Sequence, residues 1–179
     1  ANGTIIENAI GGSNADKITG NQAKNTLSGS GGNDTINGGS NADLLRGGTG
    51  NDLLIWDKAD ATLAGALQGG SGTDTLRIDT GATTLNLATL TNSYIQTVEK
   101  IDLAGNNDTV KLNYTDINPM GGAKLTISGG ADDHLYLLGT GWTNSGEDTI
   151  GGHLYYQWTN AAGSNSVWAD ALIDVHANT

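Results

Sequence analysis

GGSNADKIT, GNQAKNTLS, GSGGNDTIN, GGSNADLLR and GGTGNDLLI follow one another without a break over residues 11–55. A sixth nonapeptide, GGSGTDTLR, occupies residues 69–77 after thirteen intervening residues, WDKADATLAGALQ. The eighth position of the unit reads Ile18, Leu27, Ile36, Leu45, Leu54 and Leu76, aliphatic in every copy. The sixth reads Asp16, Asn25, Asp34, Asp43, Asp52 and Asp74. Self-similarity at so short a period marks a solenoid, in which units lean on their neighbours instead of each closing its own core.

Each unit has two parts. The first six residues are rich in glycine and asparagine, which tolerate positive φ and close backbone approach, and they read as a turn. The last three alternate so that only the middle side chain faces inward, a short strand. Turn and strand alternating every nine residues predict an all-β chain wound as a parallel β-roll, a right-handed β-solenoid with two units per coil. Units eighteen residues apart then stack. Carbonyls at the first and third positions converge with the sixth-position carboxylates on oxygen-lined holes between coils, which suit a hard cation of flexible coordination such as calcium. The ligands this predicts are Gly11, Ser13, Asp16, Gly29, Gly31, Asp34, Gly38, Ser40, Asp43, Gly47, Thr49, Asp52, Gly69, Ser71 and Asp74.

A lone aspartate in a glycine-rich turn would ordinarily just cap its own backbone. Aspartates in phase at nines and eighteens argue for metal instead. The stacking predicts Asp16, Asp34 and Asp52 along one edge, and Asn25, Asp43 and, beyond the insertion, Asp74 along the other. Asn25 carries no charge, and its turn, GNQAKN, keeps only the first glycine. At the fourth position Asn14 and Asn41 are mild departures from glycine, and Ala23 a worse one.

Composition points the same way. Glycine supplies 28 of 179 residues and proline one; cysteine is absent, so neither disulfides nor a thiol nucleophile are available. Acidic residues outnumber basic ones 19 to 8, and all but Glu7, Glu99 and Glu147 are aspartates, which favour turns and oxygen-ligand sites over helices. A net charge of −11 argues against nucleic-acid binding. No apolar run approaches the roughly eighteen residues of a membrane span. Residues 1–10 lack the basic start and apolar stretch of a leader. The repeats themselves are nearly neutral, with four aspartates against Lys17, Lys24 and Arg46 over residues 11–55. Loss of glycine entropy, more than acid repulsion, therefore predicts a fold that depends on the ion.

The units resemble the GGxGxDxUx repeats of RTX proteins, bacterial products of type I secretion. That resemblance implies roughly three to six calcium ions bound in the turns, export through the type I machinery, and an extracellular or cell-surface location. Residues 98–112, VEKIDLAGNNDTVKL, and 141–158, GWTNSGEDTIGGHLYYQW, resemble the C-terminal end of large RTX adhesins. This implies a non-enzymatic, monomeric region with a secretion signal near its C-terminus and a role in adhesion and biofilm. Residues 7–16, ENAIGGSNAD, resemble the entry to the roll in serralysin-type metalloproteases, so an export and folding module of a secreted hydrolase is the alternative.

The chain divides into residues 1–77, the roll with its inserted loop 56–68, and residues 78–179, a wider β-solenoid ending in a β cap and the signal region. Asp57 and Asp60 in the insertion are read either as added ligands or, for Asp60, as the cap of a short helix over 61–67. Apolar alternation persists at 85–87, 98–103, 110–112, 125–127 and 135–138. The degenerate turns GNNDTV and GGADDHL add Asp108 and Asp133 as ligands, with Asp132 alongside. Trp142, Trp158 and Trp168, with Tyr155 and Tyr156, are read as the cap closing the solenoid or, alternatively, as a platform for a cell-surface glycan. No HExxH, GxSxG or EF-hand motif occurs, and His134, His153 and His176 show no ligand spacing and are expected on the surface.

Overall fold

In the computed structural model, residues 7–62, 66–79, 81, 83–90, 94–105, 107–120, 124–161 and 165–177 are described. The first eight strands follow the repeat: β1 (Asn8–Ile10), β2 (Lys17–Asn21), β3 (Thr26–Gly31), β4 (Thr35–Gly39), β5 (Leu44–Thr49), β6 (Leu53–Trp56), β7 (Leu67–Ser71) and β8 (Thr75–Ile78). Odd and even strands separate into two parallel sheets, β1-β3-β5-β7 and β2-β4-β6-β8. Leu27 stands opposite Leu45, and Ile36 opposite Leu54, so the eighth-position side chains stack in register. Leu27, Ile36, Leu45, Leu54 and Leu76 are buried between the sheets, and Ile18, in the first coil, is half-buried. The roll read from the repeat is the fold.

The turns take the conformations their residues allow. Gly50 has φ +125°, and an added Cβ would run into the carbonyl of Gly32 one coil below. Asn41 occupies the equivalent place at φ 75°, as asparagine can. Ala23 does not adopt positive φ; there the Asn21 side chain accepts from the Ala23 N–H at 2.7 Å, closing a tight side-chain turn instead.

Beyond β8 the coil widens to three strands. The later strands are β9 (Thr84–Asn86), β10 (Ile95–Gln96), β11 (Lys100–Leu103), β12 (Thr109–Leu112), β13 (Lys124–Ser128), β14 (His134–Leu137), β15 (Trp142–Ile150), β16 (His153–Asn160), β17 (Ser166–Asp170) and β18 (Asp174–Ala177). β10 extends the odd sheet and β11, β13 and β17 extend the even one, while β9-β12-β14-β18 form a third sheet with no counterpart in the roll. Along the even and third sheets the register now advances by 25 or 26 residues as far as β14, as in Thr75 opposite Lys100 and Lys100 opposite Thr126. It advances by 40 to β18, where His134 stands opposite Asp174 with the β15–β16 hairpin between them in the chain. The third sheet was not anticipated, although the strands at 84–86, 100–103, 109–112, 124–128 and 134–137 fall on the alternating segments.

The insertion resolves differently from the helix reading. A 3-10 helix spans Lys58–Thr62, and Leu67, the expected helix end, opens β7. Trp56 is buried and donates its indole N–H to the Tyr94 hydroxyl at 2.9 Å. At the far end β15 and β16 form an antiparallel hairpin along β17. Its turn, Gly151 and Gly152 at φ +61° and +89°, suits a two-residue hairpin. Trp142 is fully buried, with its N–H on the Leu138 carbonyl at 3.0 Å, and Trp158 packs against the core. Trp142 is therefore not available as a surface platform for a sugar ring. Glu147 and Asp148 lie on exposed β15, which ends the sheet, and charges of this kind deter further strand pairing.

Candidate metal centre

Among the described residues, three ladders of carboxylates run along the edges of the solenoid. On the first, the backbone N–H of Asp16 donates to Asp34 Oδ1 at 2.8 Å, that of Asp34 to Asp52 Oδ1 at 2.8 Å, and that of Asp52 to Asp74 Oδ1 at 2.8 Å. The Asp74 N–H continues the series to Glu99 Oε2 at 2.8 Å. On the second, Asn25 donates to Asp43 Oδ1 at 2.7 Å and Asp43 to Asp60 Oδ1 at 2.9 Å. On the third, at the corner between β11 and β12, Thr83 donates to Asp108 Oδ1 and Asp108 to Asp133 Oδ1, each at 2.9 Å. One oxygen of each carboxylate thus ties its coil to the coil before it.

The placement of Asp74 corrects the sequence reading, which set it beside Asn25 and Asp43. The thirteen inserted residues equal one nonapeptide plus four. They travel half a coil and deliver Asp74 onto the edge of Asp52, 22 residues on. Asp60 takes the vacated rung, 17 residues after Asp43. Asp60 is consequently a ladder member inside the 3-10 helix, while residues 63–65 of the expected helix over 61–67 lie outside the described residues. Asp57 caps locally, accepting from the Ala59 N–H at 2.6 Å.

The second oxygens separate the rungs. Among the described residues, Oδ2 of Asp34, Asp43, Asp52, Asp74 and Asp108 is buried with no hydrogen-bond partner. In contrast, Asp16 Oδ2 accepts from the Gly12 N–H at 2.6 Å, Asp60 Oδ2 from Asp57 at 3.0 Å, and Asp133 Oδ2 from Gly130 at 2.7 Å. A buried carboxylate oxygen without a partner is costly, and a cation is the partner that its charge calls for. Burial pushes the carboxyls of Asp43, Asp52 and Asp108 above the usual range, against the lowering effect of their backbone donors. Asp74 is pushed up to about 6 and Asp60 to about 7 by the same desolvation. A bound cation would reverse this and hold the carboxylates ionised.

The glycines leave room for these oxygens. At Gly47 an added Cβ would fall between Asp52 Oδ2 and the Gly69 carbonyl, so only glycine lets the two approach each other. Gly11, Gly29 and Gly69 likewise lie beside the carboxylates of Asp16, Asp34 and Asp74, and Gly38 beside Asp43. At Gly20 the Asn25 amide oxygen and the Gly38 carbonyl converge in the same way, with a neutral oxygen in place of a charged one. Third-position residues form their own column: Gly31 is paired with Thr49 and Thr49 with Ser71. The Thr49 and Ser71 carbonyls accept from the N–H groups of Gly32 and Gly50 at 2.9 and 2.8 Å. Ser13 lies against Gly31, and Ser40 donates its N–H to the Asn21 carbonyl at 3.1 Å. Backbone oxygens and buried carboxylate oxygens between stacked turns fit calcium, a hard ion that takes six to eight such ligands.

Glu99 was missed by the sequence reading. Its signal was a position, 25 residues after Asp74, legible only once the wider coil is known. Also missed was a group outside the turns, His134, Asp174 and His176, whose ligand atoms all lie within 4.8 Å of one another.

Residues 19–54 match the family of the RTX calcium-binding nonapeptide repeat, in four copies. Among curated proteins, none matches the chain.

Proposed function

From the premise that residues 19–54 are RTX calcium-binding nonapeptide repeats, the mark of a secreted bacterial protein, we propose that the chain is the calcium-gated C-terminal region of a large adhesin. The observation that carries the gating is the set of buried Oδ2 atoms on Asp34, Asp43, Asp52, Asp74 and Asp108, each without a partner among the described residues. Calcium supplies positive charge where these oxygens meet backbone carbonyls and so cross-links consecutive coils. Asp16, Asp34, Asp52 and Asp74 serve the first edge, Asp43 with Asp60 the second, and Asp108 with Asp133 the third.

The physical logic suits export. Sites of extracellular calcium modules bind at about 10⁻⁴–10⁻³ M, far above cytosolic calcium, so the roll stays unfolded inside and folds outside. A glycine-rich chain offering one aliphatic side chain per nine residues recovers too little by burial alone to order itself. The adhesin reading is supported by the likeness of residues 98–112 and 141–158 to adhesin C-termini; it makes the region non-enzymatic, monomeric and a substrate of type I secretion. The likeness of residues 7–16 to the roll entry of secreted metalloproteases favours a second reading, the export and folding module of a hydrolase.

Circular dichroism during a calcium titration, with magnesium as control, tests the gating. The expected result is a cooperative gain of β signal at sub-millimolar to millimolar calcium. An unchanged spectrum up to about 10 mM would end the proposal, given the affinities of such modules.

A further inference from the structure

We infer that His134, Asp174 and His176 form a second metal site, of nitrogen-rich chemistry, which takes a zinc-class divalent ion and clips the last strand to the solenoid. The three residues lie on neighbouring parallel strands. His134 stands opposite Asp174, and Tyr136 opposite His176, in the register of β14 and β18. Alternation along a strand sends Asp174 and His176 to the same face. Asp174 Oδ2 sits between the rings, 3.2 Å from His134 Nδ1 and 2.9 Å from His176 Nε2.

These separations are close to what a tetrahedral ion requires. Bonds of about 2.0–2.2 Å place the ligand atoms of a zinc site roughly 3.3–3.5 Å apart. Both His–Asp distances are within a few tenths of an ångström of that range, and small side-chain rotations bring the third pair in. The His176 ring is held for the purpose: it stacks on Tyr136 with centroids 4.4 Å apart and planes 12° from parallel. The backbone beneath is also fixed, since the Asp174 N–H donates to the Asp133 carbonyl at 3.0 Å. All three side chains are a third to a half exposed, so an ion can enter from solvent and keep a water in its fourth position.

Ligand softness separates this site from the turns. Two imidazoles and a carboxylate suit zinc, nickel or copper, whereas the turns offer only oxygen, which suits calcium. The two kinds of ion would therefore not compete. What the ion does follows from its place: β18 ends the third sheet, and a bridge to β14 anchors the C-terminal strand to the rung of Asp133.

Isothermal titration of zinc into the tag-free chain, folded in about 10 mM calcium so that the oxygen sites are filled, tests the assignment. One zinc per chain is expected, with His134→Ala and His176→Ala each weakening it at least about tenfold. His153→Ala should leave it unchanged, because His153 lies apart, near Asp170. His176→Gln, on the outermost strand, serves if His134→Ala disturbs the adjacent turn, with dichroism confirming the fold. Cobalt in place of zinc should give the intense visible bands of a tetrahedral site. Binding weaker than about 100 µM would overturn the inference. So would equal binding by the His176 variants and the parent, or equal loss in His153→Ala.

Discussion

Up to the insertion, successive coils of the roll lie eighteen residues apart, with two strands to a coil and one aliphatic side chain per strand facing in. From β9 to β14 a third sheet joins the other two, coils lie 25 or 26 apart in it and in the even sheet, and single strands bury two: Ile101 and Leu103, Val110 and Leu112, Leu125 and Ile127, Leu135 and Leu137. Corner residues Ile117 and Met120 add to that interior. The carboxylates vary inversely. Four partnerless buried Oδ2 atoms belong to the roll, and among the described residues one, on Asp108, belongs to the wider part. Under the proposed gating, the roll with its thin apolar burial is the part that leans on the ion, and the part enclosed by a third sheet leans on it less.

Removing calcium should expose that difference most strongly. With chelator present, hydrogen exchange over β2–β8 is expected to lose nearly all protection, while β11, β13 and β14 keep a measurable part. Uniform loss along the chain would show that both regions depend on the ion alike.

Asp34→Ala comes next. Asp34 accepts from the coil below and donates to the carboxylate of the coil above, so it serves two proposed sites, whereas Asp16 begins the ladder. A site at about 100 times its dissociation constant contributes about 2.7 kcal/mol. Asp34→Ala should therefore cost about 5 kcal/mol against about half of that for Asp16→Ala, read from the calcium midpoint of folding. Equal shifts would break the stacking.

Ile101→Ala should act in the wider region by a different mechanism. The side chain is fully buried, and its truncation should cost about 3 kcal/mol in urea unfolding at saturating calcium, with little change in the calcium midpoint. A large midpoint shift would mean that the two regions fold as one unit. Smallest is Trp56→Phe, which strands the buried Tyr94 hydroxyl where the regions meet; about 1–2 kcal/mol is expected, and no loss would indicate that the bond is dispensable.

Much of the roll was legible because the repeat is local. Each unit states its own turn and inward residue, and stacking like on like leaves little else to decide, so Leu27 over Leu45 and Asp16 under Asp34 follow from counting. Counting failed where units stopped being equal. Asp74 was assigned to the wrong edge because thirteen residues without a motif could be spent as a bulge or as half a coil. The platform reading of Trp142 failed for a related reason: a tryptophan in a hairpin can face out or in, and here it is buried with its N–H on the Leu138 carbonyl.

The amino-acid order by itself determined the nine-residue unit, its aliphatic interior and the carboxylates of the rungs, since these depend on neighbours a fixed distance along the chain. Only the tertiary structure decided that Asp60 and Glu99 complete the ladders, that a third sheet forms, and that His134 meets His176 across forty-two residues. Those outcomes turn on how much chain each non-repeating segment consumes before the backbone closes its next hydrogen-bonded ladder, and no local pattern encodes that length.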